Sequence, residues 1–118
     1  MKYIKTYENL LKGKSESRIL TELEGKPENE KIATLIKLNR FDLLPRNKDG
    51  FCVYNGILDL HNCNLISLPD NLTITYDLDC SFNKLTNLPE NLTVGGNIHC
   101  YLNQLTNLPD TLTVGGDL

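Results

Sequence analysis

The second half of the chain repeats itself every 20 residues. LTNLPENLTVGGN at 85–97 and LTNLPDTLTVGGD at 105–117 agree at 10 of 13 positions, and LISLPDNLTITYD at 65–77 is a more diverged copy. A fixed short period indicates structural units that stack on their neighbours and share a continuous apolar core. This period therefore constrains the fold more than any other feature of the 118-residue chain.

Written at that period, the apolar residues stay in register and form columns that we expect to point inward. In LDCSFN and IHCYLN the inward residues alternate, as a strand with one buried face requires. Cys63, Asn83 and Asn103 share one column, and amides there are predicted to bond the backbone of the turn that leaves each strand. The apolar columns are Leu58, Leu78, Ile98 and Leu118; Leu60, Cys80 and Cys100; Leu65, Leu85 and Leu105; Leu68, Leu88 and Leu108; Leu72, Leu92 and Leu112; and Ile74, Val94 and Val114.

The pattern L-x-L/C-x-x-C/N-x-L-x-x-L-P-x-x-L over residues 57–118 resembles the leucine-rich repeat family. The 20-residue length with Leu-Pro in every repeat is similar to the short bacterial class, and the LPxNLTVGG segments resemble leucine-rich proteins predicted in bacteriophages. The resemblance implies an α+β protein: a short solenoid with a parallel β-sheet on its concave face. Family members typically bind other proteins on that face.

A β-hairpin is predicted to lead into the first repeat. Residues 51–54 and 57–60 are β-prone runs separated by Asn55-Gly56, which suits a type I′ turn. We expect the first of these strands to cover the N-terminal edge of the sheet.

The first fifty residues show helix signals instead. Ile4, Tyr7, Leu10 and Leu11 form one apolar face that ends at Gly13. Ser15 is a candidate N-cap for a second helix with Ile19, Leu20 and Leu23 inward, ending at Gly25. Pro27 suits the start of a third helix, with Ile32, Leu35 and Ile36 inward. We predict a helical segment at 1–46 that caps repeats at 47–118, because a repeat stack leaves its terminal leucines bare otherwise.

The charged residues also differ between the helical segment and the repeats. Residues 1–50 carry 11 basic and 8 acidic side chains, whereas residues 51–118 carry 7 acidic side chains and one lysine. The acidic repeats would repel phosphates, so we do not expect nucleic acid as a ligand. No run reaches the roughly 18 to 20 apolar residues of a membrane span, and the N-terminus is too polar for a signal peptide. We therefore expect a cytoplasmic protein, in the host cytoplasm if it is phage-encoded.

The four cysteines lack CxxC spacing and are expected to be reduced thiols.

Strand residues between the inward columns are expected to face outward and form a mixed acidic and aromatic surface. We predict that it binds a partner protein carrying a basic patch, with the aromatic residues as anchors. Inhibition of a host defence protein is one role that the phage resemblance suggests. The predicted partner-binding residues are Asp59, His61, Asp77, Asp79, Phe82, His99 and Tyr101.

Other functions are weighed against this one. Two histidines, His61 and His99, share this surface with the carboxylates, and Asp59, Asp79 and His99 form a row that could attract a metal ion. The cysteines are expected to face the core, however, so we predict no metal site and no cofactor. An open sheet gives carboxylates no pocket that would shift their pKa, and we therefore predict no enzyme activity.

Two alternative functions stay open. The chain could be a substrate-recognition fragment of a larger effector, such as a leucine-rich-repeat ubiquitin ligase. It could also self-assemble through the last repeat, which stops in mid-repeat without a cap.

Overall fold

The protein is an α+β chain with two compact units. The computed structural model describes residues 10–118, and the chain divides between Leu44 and Pro45. The first unit holds helices and the second holds short parallel strands in two sheets. Within the described residues, no helix combines the length and the hydropathy needed to cross a membrane.

Helix α1, Glu16–Leu23, begins where the sequence predicts it. The hydroxyl of Ser15 accepts a hydrogen bond from the backbone N–H of Arg18 at 3.2 Å and caps the helix. Ile19 and Leu23 are buried, as expected for residues four apart on one face. Leu20 was predicted to point inward, and this is wrong: it is 44% exposed, because it lies about 100° around the helix from Ile19.

Helix α2, Glu28–Lys37, follows Pro27 directly, and its predicted inward residues Ile32, Leu35 and Ile36 are buried. Glu28 and Glu30 lie in its first turn, near the positive end of the helix dipole. A short 3₁₀ helix, Phe41–Leu43, comes next. Of the first predicted helix, Ile4 and Tyr7 lie outside the described residues. Leu10 and Leu11 are helical, and Gly13 adopts a left-handed conformation just beyond them. The capping role of the helical segment stays a prediction.

Each 20-residue repeat of the second unit contributes one strand to each of two parallel sheets. Every pair of strands joins residues that are 20 apart in sequence, as the repeat predicts: Leu58 aligns with Leu78, and Leu78 with Ile98. In the first sheet, in spatial order, lie β1 (Cys52–Tyr54), β3 (Leu72–Ile74), β5 (Thr93–Val94) and β7 (Thr113–Val114). In the second lie β2 (Leu58–Asp59), β4 (Leu78–Asp79) and β6 (Ile98–His99). Only the second sheet was predicted from the sequence.

The predicted β-hairpin is wrong. Strands β1 and β2 do not pair with each other; β1 pairs with β3 and β2 with β4, both in parallel. Asn55-Gly56 joins the two sheets at the position that Gly95-Gly96 occupies two repeats later. The backbone N–H of Gly56 donates to the hydroxyl of Thr75 at 2.8 Å, a contact to the next repeat. Pairing between repeats has overridden the local turn signal.

The inward columns form the core of the second unit. Their members in the first repeats are buried, from Leu58 and Leu60 through Leu78 and Cys80 to Leu92 and Val94. Burial decreases in the last repeat, where Leu105, Leu112 and Val114 are half-buried and Leu108 and Leu118 are exposed.

Side-chain amides tie consecutive repeats together, which confirms their predicted structural role. The Oδ1 atom of Asn83 accepts hydrogen bonds from the backbone N–H groups of Cys63 at 3.0 Å and Leu65 at 2.9 Å. Its Nδ2 atom donates to the carbonyl of Leu60 at 2.9 Å and to two carbonyls of its own repeat. Asn103 bonds the N–H of Leu85 in the same way. Each amide thus satisfies backbone groups at the turn after a strand.

Paired glycines are required where the repeats approach most closely. A Cβ atom on Gly95 would overlap the carbonyl oxygen of Thr75, and one on Gly96 would overlap a carboxylate oxygen of Asp77. Neither glycine has a positive φ, so the requirement is space rather than conformational freedom.

Candidate functional site

The outward face of the second sheet brings together most of the predicted partner-binding residues. Asp59 lies beside Asp79 in the strand register, and Asp79 lies beside His99. His61 and Tyr101 follow their strands by two residues. We call this surface the polar-aromatic strip; it comprises Asp59, His61, Asp79, Phe82, His99 and Tyr101.

Two carboxylates and an imidazole converge at one end of the polar-aromatic strip. The Nδ1 atom of His61 lies 2.5 Å from Oδ1 of Asp59, which also accepts the backbone N–H of His61 at 3.1 Å. Asp59, His61 and Asp79 can each offer one ligand atom, and these atoms lie within 4.8 Å of one another. The three could hold a divalent cation or attract a basic side chain. Of the two histidines considered from the sequence, His61 is the one that the structure groups with both carboxylates.

Asp79 is held in place by the residue that follows its strand. Its Oδ1 atom accepts hydrogen bonds from the backbone N–H of Ser81 at 3.0 Å and from the Ser81 hydroxyl at 2.6 Å. Ser81 is buried, although the strand alternation predicted an outward side chain. The carboxylate of Asp79 is therefore positioned on the strip rather than free to rotate.

The aromatic part of the strip is a pair of exposed rings. Phe82 and Tyr101 contact each other edge to face, with ring centroids 5.5 Å apart and planes at 75°. Phe82 is 48% exposed and Tyr101 is 56% exposed. The two rings hold each other in position while about half of each faces solvent. They are therefore pre-organised for contact with another molecule.

The backbone beneath these rings has an unusual conformation. Seven non-glycine residues of the described chain have positive φ angles, and five of them are asparagines, the residue type that tolerates this region best. The other two are Phe82 and Leu102, each with φ +58°. They lie 20 residues apart, at the position that Asn62 occupies in the first repeat. Leu102 is not among the partner-binding residues predicted from the sequence, although the strand pattern placed it with the outward-facing residues; its backbone conformation was not predicted.

Asp77, also among the predicted partner-binding residues, makes a contact between repeats. Its Oδ1 atom accepts a hydrogen bond from the backbone N–H of Asn97 at 2.8 Å, and Asn97 in turn accepts one from the N–H of Asp117 at 2.8 Å. This half-buried carboxylate joins two repeats at the edge of the strip.

Of the cysteines of the second unit, Cys52 and Cys80 are buried, and Cys63 and Cys100 are half-buried. None of the four cysteines, all of which lie within the described residues, takes part in a disulfide. Burial raises the pKa of Cys80 to about 12, with smaller contributions from Cys100 and Asp79, and burial also raises the pKa of Cys100. A thiol with so high a pKa stays protonated at neutral pH and is a poor nucleophile.

A shallow groove of about 460 Å³ lies elsewhere on the second unit. Leu68, Leu88 and Pro89 line it together with Asp70 and Glu90, and no residue of the polar-aromatic strip contributes to it. The groove and the strip are therefore separate surfaces.

Comparisons with models of protein families, with curated proteins and with solved structures found no match to this chain. The resemblance to leucine-rich repeats accordingly rests on the residues of the repeats themselves.

Proposed function

We propose that the chain is a non-catalytic protein-binding module that binds its partner on the polar-aromatic strip. The observation that carries this proposal is the exposed Phe82–Tyr101 pair, beside the carboxylates of Asp59 and Asp79 on one sheet face. Aromatic side chains supply most of the binding energy in many interfaces, and flanking charges select the partner and speed its approach.

The repeat architecture supports the same function. Two parallel sheets with a 20-residue register are what a short leucine-rich solenoid would contain, and the resemblance to that family favours protein binding on the strand face. The likeness to bacteriophage leucine-rich proteins favours a bacterial host protein as the partner. We propose both as part of the same function.

Affinity capture with matched variants tests the proposal. The 118-residue chain is immobilised and exposed to bacterial lysate, beside the variants Tyr101→Ala and Tyr76→Ala. Tyr76 is an exposed tyrosine of the same unit outside the strip, which makes it the control. We expect a protein that the parent chain and Tyr76→Ala retain and Tyr101→Ala loses, with all three giving the same circular dichroism spectrum. Equal capture by the two variants would refute binding on the strip.

A further inference from the structure

Phe82 and Leu102 occupy a backbone position that disfavours them. Asn62, Phe82 and Leu102 are equivalent residues of successive repeats, with φ angles of +53°, +58° and +58°. Asparagine tolerates this left-handed region because its short polar side chain can hydrogen-bond the local backbone, whereas Phe and Leu bear the steric cost of the Cβ atom without that compensation. The repeat geometry therefore imposes a conformation that suits asparagine, and two of the three repeats carry a bulky apolar residue instead.

Burial does not compensate for this conformational cost. Leu102 is 61% exposed and Phe82 about half exposed, so much of the apolar surface of each side chain remains in water. Residues kept in unfavourable conformations without a packing benefit are concentrated at functional sites. We infer that Phe82 on the strip and the exposed Leu102, which directly follows Tyr101, determine which partner the strip binds, and that its occupant is a partner segment placing an apolar side chain next to a Lys or Arg.

Charge complementarity identifies the basic part of this segment. Asp59 and Asp79 face outward on the same sheet, and residues 51–118 contain seven acidic side chains against the single Lys84. An acidic surface beside apolar anchors repels acidic segments and attracts basic ones. A guanidinium or ammonium group at Asp79 and an apolar side chain against Phe82 and Leu102 would engage both parts of the strip together. The inference rests on the proposed function, because it describes the partner of that same surface.

The first test separates backbone strain from binding by measuring stability alone. Phe82→Asn and Leu102→Asn place the favoured residue at the strained positions, and each is expected to lower the unfolding equilibrium constant by about ten-fold. Urea unfolding measures this change. Tyr101→Asn is the control, because it removes the same ring contact as Phe82→Asn at a residue without positive φ. If Phe82→Asn and Leu102→Asn are no more stable than the parent chain, the strain argument is overturned.

The second test identifies the chemistry of the occupant. A library of random displayed peptides is selected on the 118-residue chain, and the affinities of the selected peptides are measured by fluorescence anisotropy. We expect enrichment of sequences with an apolar residue next to Lys or Arg. Phe82→Asn and Leu102→Asn should each weaken binding at least ten-fold, although they stabilise the fold, and Asp79→Asn should weaken it and reduce its dependence on salt. The control Tyr76→Asn should leave binding unchanged.

The outcomes distinguish this inference from the proposed function. Peptides that need Tyr101 but lack basic residues, or that bind Phe82→Asn and Leu102→Asn as tightly as the parent chain, would overturn the inference and leave protein binding on the strip standing. A library that yields no peptide dependent on the strip would count against both.

Discussion

Replacing Asn83 with alanine removes one buried side chain that serves two consecutive repeats. Three backbone groups lose the hydrogen bond that Asn83 provides: the N–H groups of Cys63 and Leu65, and the carbonyl of Leu60. The other two acceptors keep a partner, because the carbonyl of Cys80 still accepts from Asn103, and that of Ser81 still accepts from the N–H of Asn62. The substitution therefore removes a hydrogen bond from three backbone groups rather than five, and two of these groups belong to the buried residues Leu60 and Leu65.

The expected cost follows from that count. A buried backbone group left without a partner costs about 1 to 3 kcal/mol, and taking the lower end for the buried groups of Leu60 and Leu65 gives a loss of about 2 kcal/mol or somewhat more. Such a loss is a large share of the roughly 5 to 15 kcal/mol that stabilises a typical domain.

Urea unfolding followed by far-ultraviolet circular dichroism measures this loss as a lower transition midpoint. Asn87→Ala is the matched control, because Asn87 is an exposed asparagine of the same repeat, and its loss should change stability by less than about 0.5 kcal/mol. If Asn83→Ala and Asn87→Ala destabilise the chain equally, the buried amide does not hold the repeats together and the reasoning fails.

Three further predictions concern steric clearance, helix capping and thiol ionisation. Gly95→Ala should destabilise the chain by about 2 kcal/mol in urea unfolding, because the new Cβ atom overlaps the Thr75 carbonyl oxygen; an unchanged midpoint would contradict this. Ser15→Ala should cost about 1 kcal/mol, seen as a lower thermal midpoint of the helical signal, because the N–H of Arg18 loses its cap. The pKa of Cys80 is raised to about 12 from 9.0, so the folded state holds this proton more tightly than the unfolded state does. The contribution of this thiol to stability is therefore complete below pH 9 and is lost as the pH rises above it. Unfolding free energy should drop by about 1 kcal/mol between pH 9 and 10 from this thiol, and a Cys80→Ala variant that shows the same drop would refute its assignment.

The repeat length predicted the strand pairing of the second unit because every inter-repeat contact obeys it. Leu58 and Leu78 are paired for the same reason that they share a column: a 20-residue unit that stacks on its copy must place equivalent residues side by side. The role of Asn83 could be predicted as well, since an amide both donates and accepts and suits a turn with unpaired backbone groups of both kinds.

The first sheet and the Asn55-Gly56 turn were predicted poorly because their signals are local and short. Strands of two residues are too short to detect by themselves: Ile98–His99 was predicted because the alternation continues past it in IHCYLN, whereas Gly95-Gly96 ends the pattern directly after Thr93–Val94. Asn-Gly commonly forms a hairpin turn, but here contacts with the next repeat decide the path of the chain.

The strand pattern predicted most of the residues that form the strip, but not the contacts that arrange them. Alternation placed Asp59, Asp79 and Tyr101 on one face, whereas the burial of Ser81 and the approach of His61 to Asp59 depend on the turn after the strand. The left-handed conformation of Phe82 was beyond sequence reasoning, because Phe is among the residues least expected to adopt it.

The side-chain bonds between repeats also determine how a gene for this chain can change in length. Asn83 and Asn103 each bond an N–H 18 residues earlier and a carbonyl 23 residues earlier, and Asp77 and Asn97 each accept from an N–H 20 residues later. Deleting or duplicating a block of 20 codons keeps these spacings across the junction, whereas a block of 19 or 21 shifts every bond that spans it by one residue. Recombination between repeats can therefore lengthen or shorten the chain one unit at a time while the remaining bonds stay intact.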